Sequence, residues 1–243
     1  MWLRKERERQ PFYAAATRLI RATMRSIQSE VAQRIEQGST GDAALSPASQ
    51  LSYKLRNDYG RIYEVTGTHF AETNYNRLKR IPAYRRKQIE PLASEYFTFY
   101  IDQNRFPLIT TTTNTVKVFL QNEITRLLYS GLGAAEIASA INAPNLLEWE
   151  TLRIVRTEVI CASNAGDLYG AKATGYDMNK EWIAAMQENT RESHFLADGQ
   201  TVKLNEPFVM DDGDRLDFPG DNSYGASAEN TINCRCSVGY EVL

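Results

Sequence analysis

No run of about eighteen apolar residues occurs in this chain, so no segment reads as a helix crossing a lipid bilayer. The opening residues, Met1 to Arg9, are charged and have no apolar stretch behind them, which is not the pattern of a secretory signal. Cysteine is scarce. Three cysteines in 243 residues, an odd number, fit a reducing compartment better than a disulfide framework. Histidine is scarcer, and one of the two, His69, has no ligand partner near it in sequence. A Gly-rich phosphate loop, a Ser/His/Asp elbow and a paired-carboxylate motif are all missing. The acidic loop Asp211-Asp212-Gly213-Asp214 lacks the register and the closing Glu of a Ca²⁺ hand.

What remains is ample for a globular protein: 42% hydrophobic residues over a length that suits one large or two small domains. The net charge of −2 hides an asymmetry. Residues 1–110 hold 18 Lys+Arg against 11 Asp+Glu, and residues 111–243 hold 10 against 19. Opposite signs in the two halves suggest different partners, or solvated faces that differ.

Helical periodicity dominates the first part. Leu19, Met24, Ile27, Val31 and Ile35 predict a helix over 2–37. The arginines among them (Arg18, Arg21, Arg25, Arg34) are either a basic arm for DNA or an acidic partner, or simply its wet side. Residues 47–103 stay helical, with breaks predicted near Gly60, Gly67 and Pro82. Their aromatics, among them Tyr59, Tyr63, Phe70, Tyr84 and Tyr100, are interleaved with Arg77, Lys79, Arg80, Arg85, Arg86 and Lys87. They read either as core or as a stacking, phosphate-binding surface. Thr110–Thr113 and Asn114 offer N-caps for a helix that Gly131 and Gly133 close. A short helix over 134–141 follows, then a long one over 146–174 with a small-residue face suited to close packing. Beyond Gly175 the period changes to strands at 180–185, 201–204 and 234–242, separated by turn-rich loops.

Two groupings can carry chemistry. Cys234-x-Cys236 on a strand places both sulfurs on one face, and His194 is a natural third zinc ligand, with Cys161 or Asp198 as a fourth. The alternative is two buried thiols beside a histidine bonded to a loop carbonyl. Arg191, Glu192, His194 and Asp198 can form an acid/base set on one loop.

The ordered pieces from Trp182 onward are Thr190-Arg191 with His194, Asp198-Gly199, Glu206-Pro207-Phe208, Pro219-Gly220-Asp221 and Asn233-Cys234-Arg235-Cys236. Together with Arg156-Thr157-Glu158 and Asn164 they resemble the phage Mu F-like family, to which the SPP1 minor head protein also belongs. The chain departs from the family pattern at Gln187, where an Asp is usual.

The resemblance implies an α+β fold, with a mostly helical N-terminal region (1–130) and a C-terminal module (131–243) whose long helix packs on a small antiparallel sheet. It implies a minor capsid, head morphogenesis protein of a tailed phage or prophage, built in the host cytoplasm and retained in the virion, at the capsid interior or portal vertex. The implied partners are the portal protein and the major capsid or scaffolding protein, with non-specific contact to phage DNA and a role in packaging or ejection. Arg156, Glu158, Trp182, Arg191, His194 and Asn233 become a structural signature: Arg156 and Glu158 clamp the helix to the sheet, and Arg191 bonds loop carbonyls or Glu158. No catalytic residue and no obligatory cofactor follow. The competing reading is a metal-dependent hydrolase or toxin-like transferase in which Arg191, His194 and Glu158 converge on a cleft.

Overall fold

In the computed structural model, which describes residues 1–79 and 93–243, the chain is α+β, with helices throughout and the strands confined to its last third. The interruption expected at Pro82, and Arg80, Tyr84, Arg85, Arg86 and Lys87, lie outside the described residues.

Helix α1 (Trp2–Glu36) buries Ile20, Met24, Ile27, Val31 and Ile35, the apolar stripe of the 3.6-residue period. A short α2 (Gly41–Leu45) and a 3₁₀ turn opened by Pro47 lead into α3 (Leu51–Ile62). A π turn over Tyr63–Gly67 continues directly into α4 (Thr68–Lys79). The chain stays helical through Gly60, while near Gly67 the α pattern is interrupted by the π turn. Gly60 lies inside α3, and Gly67 makes room for a neighbour, since a Cβ there would stand 2.5 Å from the Phe97 ring.

Helix α5 (Ala93–Tyr100) passes through a second π turn, Ile101–Arg105, into α6 (Phe106–Tyr129). The threonine run does not cap α6 as expected. Pro107, whose fixed φ suits a first helical turn, starts the helix four residues earlier. The hydroxyls of Thr110, Thr111 and Thr113 instead donate to the carbonyls of Phe106, Pro107 and Ile109, at 3.1, 3.0 and 2.9 Å. The short α7 (Ala134–Ile141) follows as predicted.

Helix α8 (Glu148–Ala173) is the axis of the molecule and is buried on nearly every side from Ile154 to Ala173. Its small residues let α4 approach to backbone contact. A Cβ on Gly166 would meet the Gly67 carbonyl oxygen at 2.2 Å, and one on Gly170 the Ala71 carbonyl oxygen at 2.3 Å.

The sheet pairs β1 (Met178–Ile183) with β2 (Thr201–Lys203) on one side and β5 (Ser237–Val242) on the other, all antiparallel. Between β1 and β2 lies the single turn α9 (Glu192–Leu196). The hairpin β3 (Phe208–Val209) and β4 (Arg215–Leu216), with α10 (Ala228–Thr231), fills the way to β5; the sequence pattern did not predict this hairpin. Cys234 and Cys236 precede β5 rather than lying on it. Asn233, at φ 58° in the left-handed region, turns the chain just before them.

One buried apolar cluster runs from Ala16 on α1 through α8 to Tyr240 on β5. Tyr59, Tyr63, Phe97 and Tyr100 belong to this cluster and Phe70 is buried as well, so these aromatics are not a stacking surface for nucleic acid. Tyr96 stacks on Tyr169 with ring centres 4.7 Å apart. No described helix is long and apolar enough to cross a membrane.

Candidate functional site

The consecutive residues Arg156, Thr157 and Glu158 point away from one another around α8, as helical geometry requires. Arg156 Nη1 donates to Asn233 Oδ1 at 3.1 Å, while Thr157 Oγ1 accepts the Asn233 backbone N–H at 3.0 Å. Both atoms fix the left-handed turn that presents the two cysteines. Arg156 is thus bonded to the segment that precedes β5 rather than to the sheet itself.

Glu158 faces the other way, and its partner is one that sequence reasoning missed. Arg105 binds it in a two-pronged pair, Nε to Oε2 at 3.0 Å and Nη2 to Oε1 at 2.6 Å. Tyr63 adds a third bond to Oε2 at 3.0 Å. Both donors belong to π turns, Tyr63 opening one and Arg105 closing the other. A π turn rotates the following residues relative to an α-helix, and it commonly marks a specialised site. Arg105 Nη1 also reaches the Gly220 carbonyl at 3.3 Å. Glu158 therefore links α8 to the N-terminal helices and, through Arg105, to the Pro219-Gly220-Asp221 turn. It does not meet Arg191, whose Nη2 donates to the Ile232 carbonyl at 2.6 Å.

The same turn is held twice more. Tyr100 donates to Asp221 Oδ1 at 2.8 Å, and burial pushes its phenol well above the ordinary range, keeping it a donor. Asn164 donates to the carbonyls of Pro219 and Cys236 at 2.9 and 3.1 Å. Its own carbonyl accepts from Arg9 Nη2 at 2.8 Å, and Arg9 also reaches Ser163 and Ser237, at 2.7 and 3.0 Å. Arg9 is wholly buried and Lys5 pairs with Asp167 in the interior, so part of the basic N-terminal stripe is internal wiring. Burial lowers the Lys5 ammonium and raises the Asp167 carboxyl, and their mutual attraction offsets this only in part.

The third grouping is His194, Cys234 and Cys236, all buried. Nδ1 of His194 lies 3.7 Å from Cys234 Sγ and 3.5 Å from Cys236 Sγ. The Cys236 backbone N–H donates to Cys234 Sγ at 3.4 Å. Of the two thiols, that of Cys236 is pulled down, to about 5, by its hydrogen bonds to Cys234 and His194, while that of Cys234 is raised by burial. Trp182 packs edge-on against His194 with ring centres 5.4 Å apart. The two residues expected as a fourth ligand are elsewhere in the fold. Cys161 contacts Tyr100, and Asp198 accepts the Ala184 N–H at 2.8 Å, closing the β1–β2 connection.

Arg191 and His194 share a cavity of about 30 Å³ with Asn189, Thr190 and the cysteines. Glu158 lines a different one of about 20 Å³, with Tyr59 and Thr157. Pockets for small-molecule ligands are typically about 300–1,000 Å³. The converging trio Arg191, His194 and Glu158 is therefore not assembled, and Glu192 lies outside the shared cavity. Gln187, standing where the resemblance expects Asp, accepts from Arg235 Nη1, so this position too carries a structural bond. His69 is at the surface, beside Glu8 at 3.3 Å.

Residues 119–239 match the model of the family described as phage Mu protein F like protein. The minor head protein GP7 of Bacillus phage SPP1 is 28% identical over 149 residues, which is 58% of this chain and 47% of that protein. The NAD(+)--arginine ADP-ribosyltransferase EFV of Enterococcus faecalis is 32% identical over 121 residues, 48% of this chain and 24% of that protein. The chain spans less than half the length of either relative. No solved structure matches it.

Proposed function

Since residues 119–239 belong to the phage Mu protein F like family, we propose that this chain is a minor head protein working as a structural part of phage head assembly. One observation carries the reading: each signature residue the family resemblance singled out makes an internal joint or faces the buried His194–cysteine cluster. Arg156 and Thr157 hold Asn233, Glu158 holds Arg105, Asn164 holds Arg9, and Arg191 holds Ile232. Arg191 and His194 share only a cavity of about water size. Within this reading the portal protein and the major capsid or scaffolding protein are the partners. The chain stays in the virion, at the capsid interior or portal vertex, and acts in DNA packaging or ejection. The similarity to a minor head protein over 149 residues, more than the family model covers, supports it.

The exposed arginines Arg4, Arg7, Arg18, Arg25 and Arg34 on α1 are the surface for non-specific contact with packaged DNA. The test is to delete the gene from the phage or prophage that encodes it and to complement with folded Glu158→Gln and His194→Ala chains. Heads that fail to form, or that form without the variant chain, fit a structural part. Complete heads carrying a folded variant that nevertheless fail to infect favour chemistry at this site.

A second reading, a toxin-like transferase, has the similarity to the ADP-ribosyltransferase in its favour. That similarity covers 24% of the relative, so it fits a module shared with a larger protein as well as it fits a shared activity. Incubation of the purified chain with labelled NAD⁺ and an arginine-rich acceptor separates the two readings, because a structural module transfers no label.

A further inference from the structure

We propose that His194, Cys234 and Cys236 bind one Zn²⁺ ion, which fastens α9 to the segment leading into β5 and keeps a fourth coordination position for water. The donor set is two thiolates and an imidazole, the combination that selects zinc over hard cations. Zinc bonds of about 2.3 Å to sulfur and about 2.0–2.1 Å to nitrogen, set at a tetrahedral angle, hold the two ligand atoms about 3.6 Å apart. Nδ1 of His194 stands 3.5 and 3.7 Å from the two sulfurs. All three ligand atoms lie within 4.8 Å of one another.

The approach is arranged by elements outside the trio. Asn233, held in its left-handed turn by Arg156 and Thr157, sends both cysteine side chains toward α9. Trp182 packs against the imidazole from β1. His194 directs Nδ1 at the sulfurs, while its Nε2 has no hydrogen-bond partner. Charge balance points the same way, since two thiolates and Zn²⁺ sum to zero among buried side chains, where an unpaired charge is costly. The adjoining cavity, about 30 Å³, is reached by Asn189, Thr190 and Arg191 and has room for about one water molecule. That makes an open fourth position, the arrangement of three protein ligands plus water.

The experiment uses the untagged full chain, purified from zinc-supplemented cells under reducing conditions. Elemental analysis should find one zinc per chain, and none in Cys234→Ser, Cys236→Ser or His194→Ala chains. Cys161→Ser, which removes the buried thiol outside the cluster, should keep one zinc. Where a variant does not fold, the wild-type chain suffices. Exchange into Co²⁺ should give the intense visible bands of a tetrahedral thiolate site, and a strong chelator should lower Tm. A folded wild-type chain that holds no zinc and gives no tetrahedral Co²⁺ spectrum overturns the proposal. So does a chain whose Cys234 and Cys236 are found joined to each other under these conditions.

Discussion

At the residue scale, the molecule is organised by side chains that reach across long sequence distances. The Arg105–Glu158 pair is buried, and Glu158 accepts three hydrogen bonds in all. Glu158→Gln leaves the Arg105 charge without its partner, and breaking a buried pair costs about 3–5 kcal/mol. Urea unfolding should show a loss of that size, partly recovered when Arg105→Met is added. A loss under about 1 kcal/mol would mean that the pair behaves like an exposed one. Arg105 was not legible in the sequence. A single arginine two residues before a proline has no local pattern, and its partner lies 53 positions away. Asn233, Arg156 and Arg191 were visible as motif members. That Arg156 bonds the Asn233 side chain 77 positions away was not, nor which carbonyl Arg191 takes, since backbone carbonyls leave no trace in sequence.

Lys180 offers a pH test at the same scale. It is fully buried on β1, donates to the Asp217 carbonyl at 2.7 Å, and burial brings its ammonium down to about 8 despite Asp217 nearby. The unfolded value is about 10.4, so below pH about 8 the lysine is charged in both states and the full cost of burying the charge is present. Between about pH 8 and 10 the folded state sheds the proton first and that cost is relieved. The stability difference between Lys180→Met and wild type should therefore shift in favour of wild type over this window, as read from urea midpoints at each pH. A difference independent of pH would show that the ammonium is as well solvated in the folded chain as in the unfolded one.

Elements meet here through gaps as much as through side chains, and two glycines in helices predict opposite signs. A glycine inside a helix ordinarily costs about 0.5–1 kcal/mol relative to alanine, so Gly→Ala in open space should stabilise. Gly60 on α3 has nothing within 4 Å of its missing Cβ, and Gly60→Ala should raise stability by about that amount. A Cβ on Gly166 of α8 would stand 2.2 Å from the Gly67 carbonyl oxygen, in the π turn that leads into α4, and 3.1 Å from the Ala71 nitrogen on α4, so the added methyl forces the elements apart. Overpacking costs about 1–3 kcal/mol, which exceeds the propensity gain. Thermal melts of the two variants should move in opposite directions; a stabilised Gly166→Ala chain would mean that α4 and α8 are not in backbone contact.

Periodicity made α1, α7, α8, β1, β2 and β5 readable, since each is long enough to show its repeat or is bounded by turn residues. The β3–β4 hairpin, with two residues in each strand, is too short to show an alternation. The start of α6 was misplaced because its threonines look like caps until Pro107 is given priority. The cysteines were assigned to a strand over 234–242, but after the left-handed turn at Asn233 the chain pairs with β1 only from Ser237 onward.

For the whole molecule, the charge asymmetry seen in the sequence is only partly a surface property. Lys5, Arg9 and Arg105 are buried, and Arg21 and Arg56 are paired with Glu148 and Asp102. The exposed arginines of α1 remain, and they predict weak duplex binding by the full chain. Its Kd should be about 10⁻⁴–10⁻⁶ M at low salt and weaken steeply on the way to a few hundred millimolar. Binding that ignores salt, or none at low salt, would leave a protein as the partner of that face.

The resemblance reaches this scale too. The motifs pointed to the family and to an α+β architecture, whereas the way α1 threads Lys5 and Arg9 into α8 could be seen only in three dimensions. The most direct measurement is to purify procapsids and mature heads from the phage or prophage that encodes the chain, and to quantify it in both by mass spectrometry against the major capsid protein. A minor head protein should be present in both, at a small, fixed ratio that survives high-salt washing. Absence from both particles, with the chain left free in the lysate, would contradict the assignment.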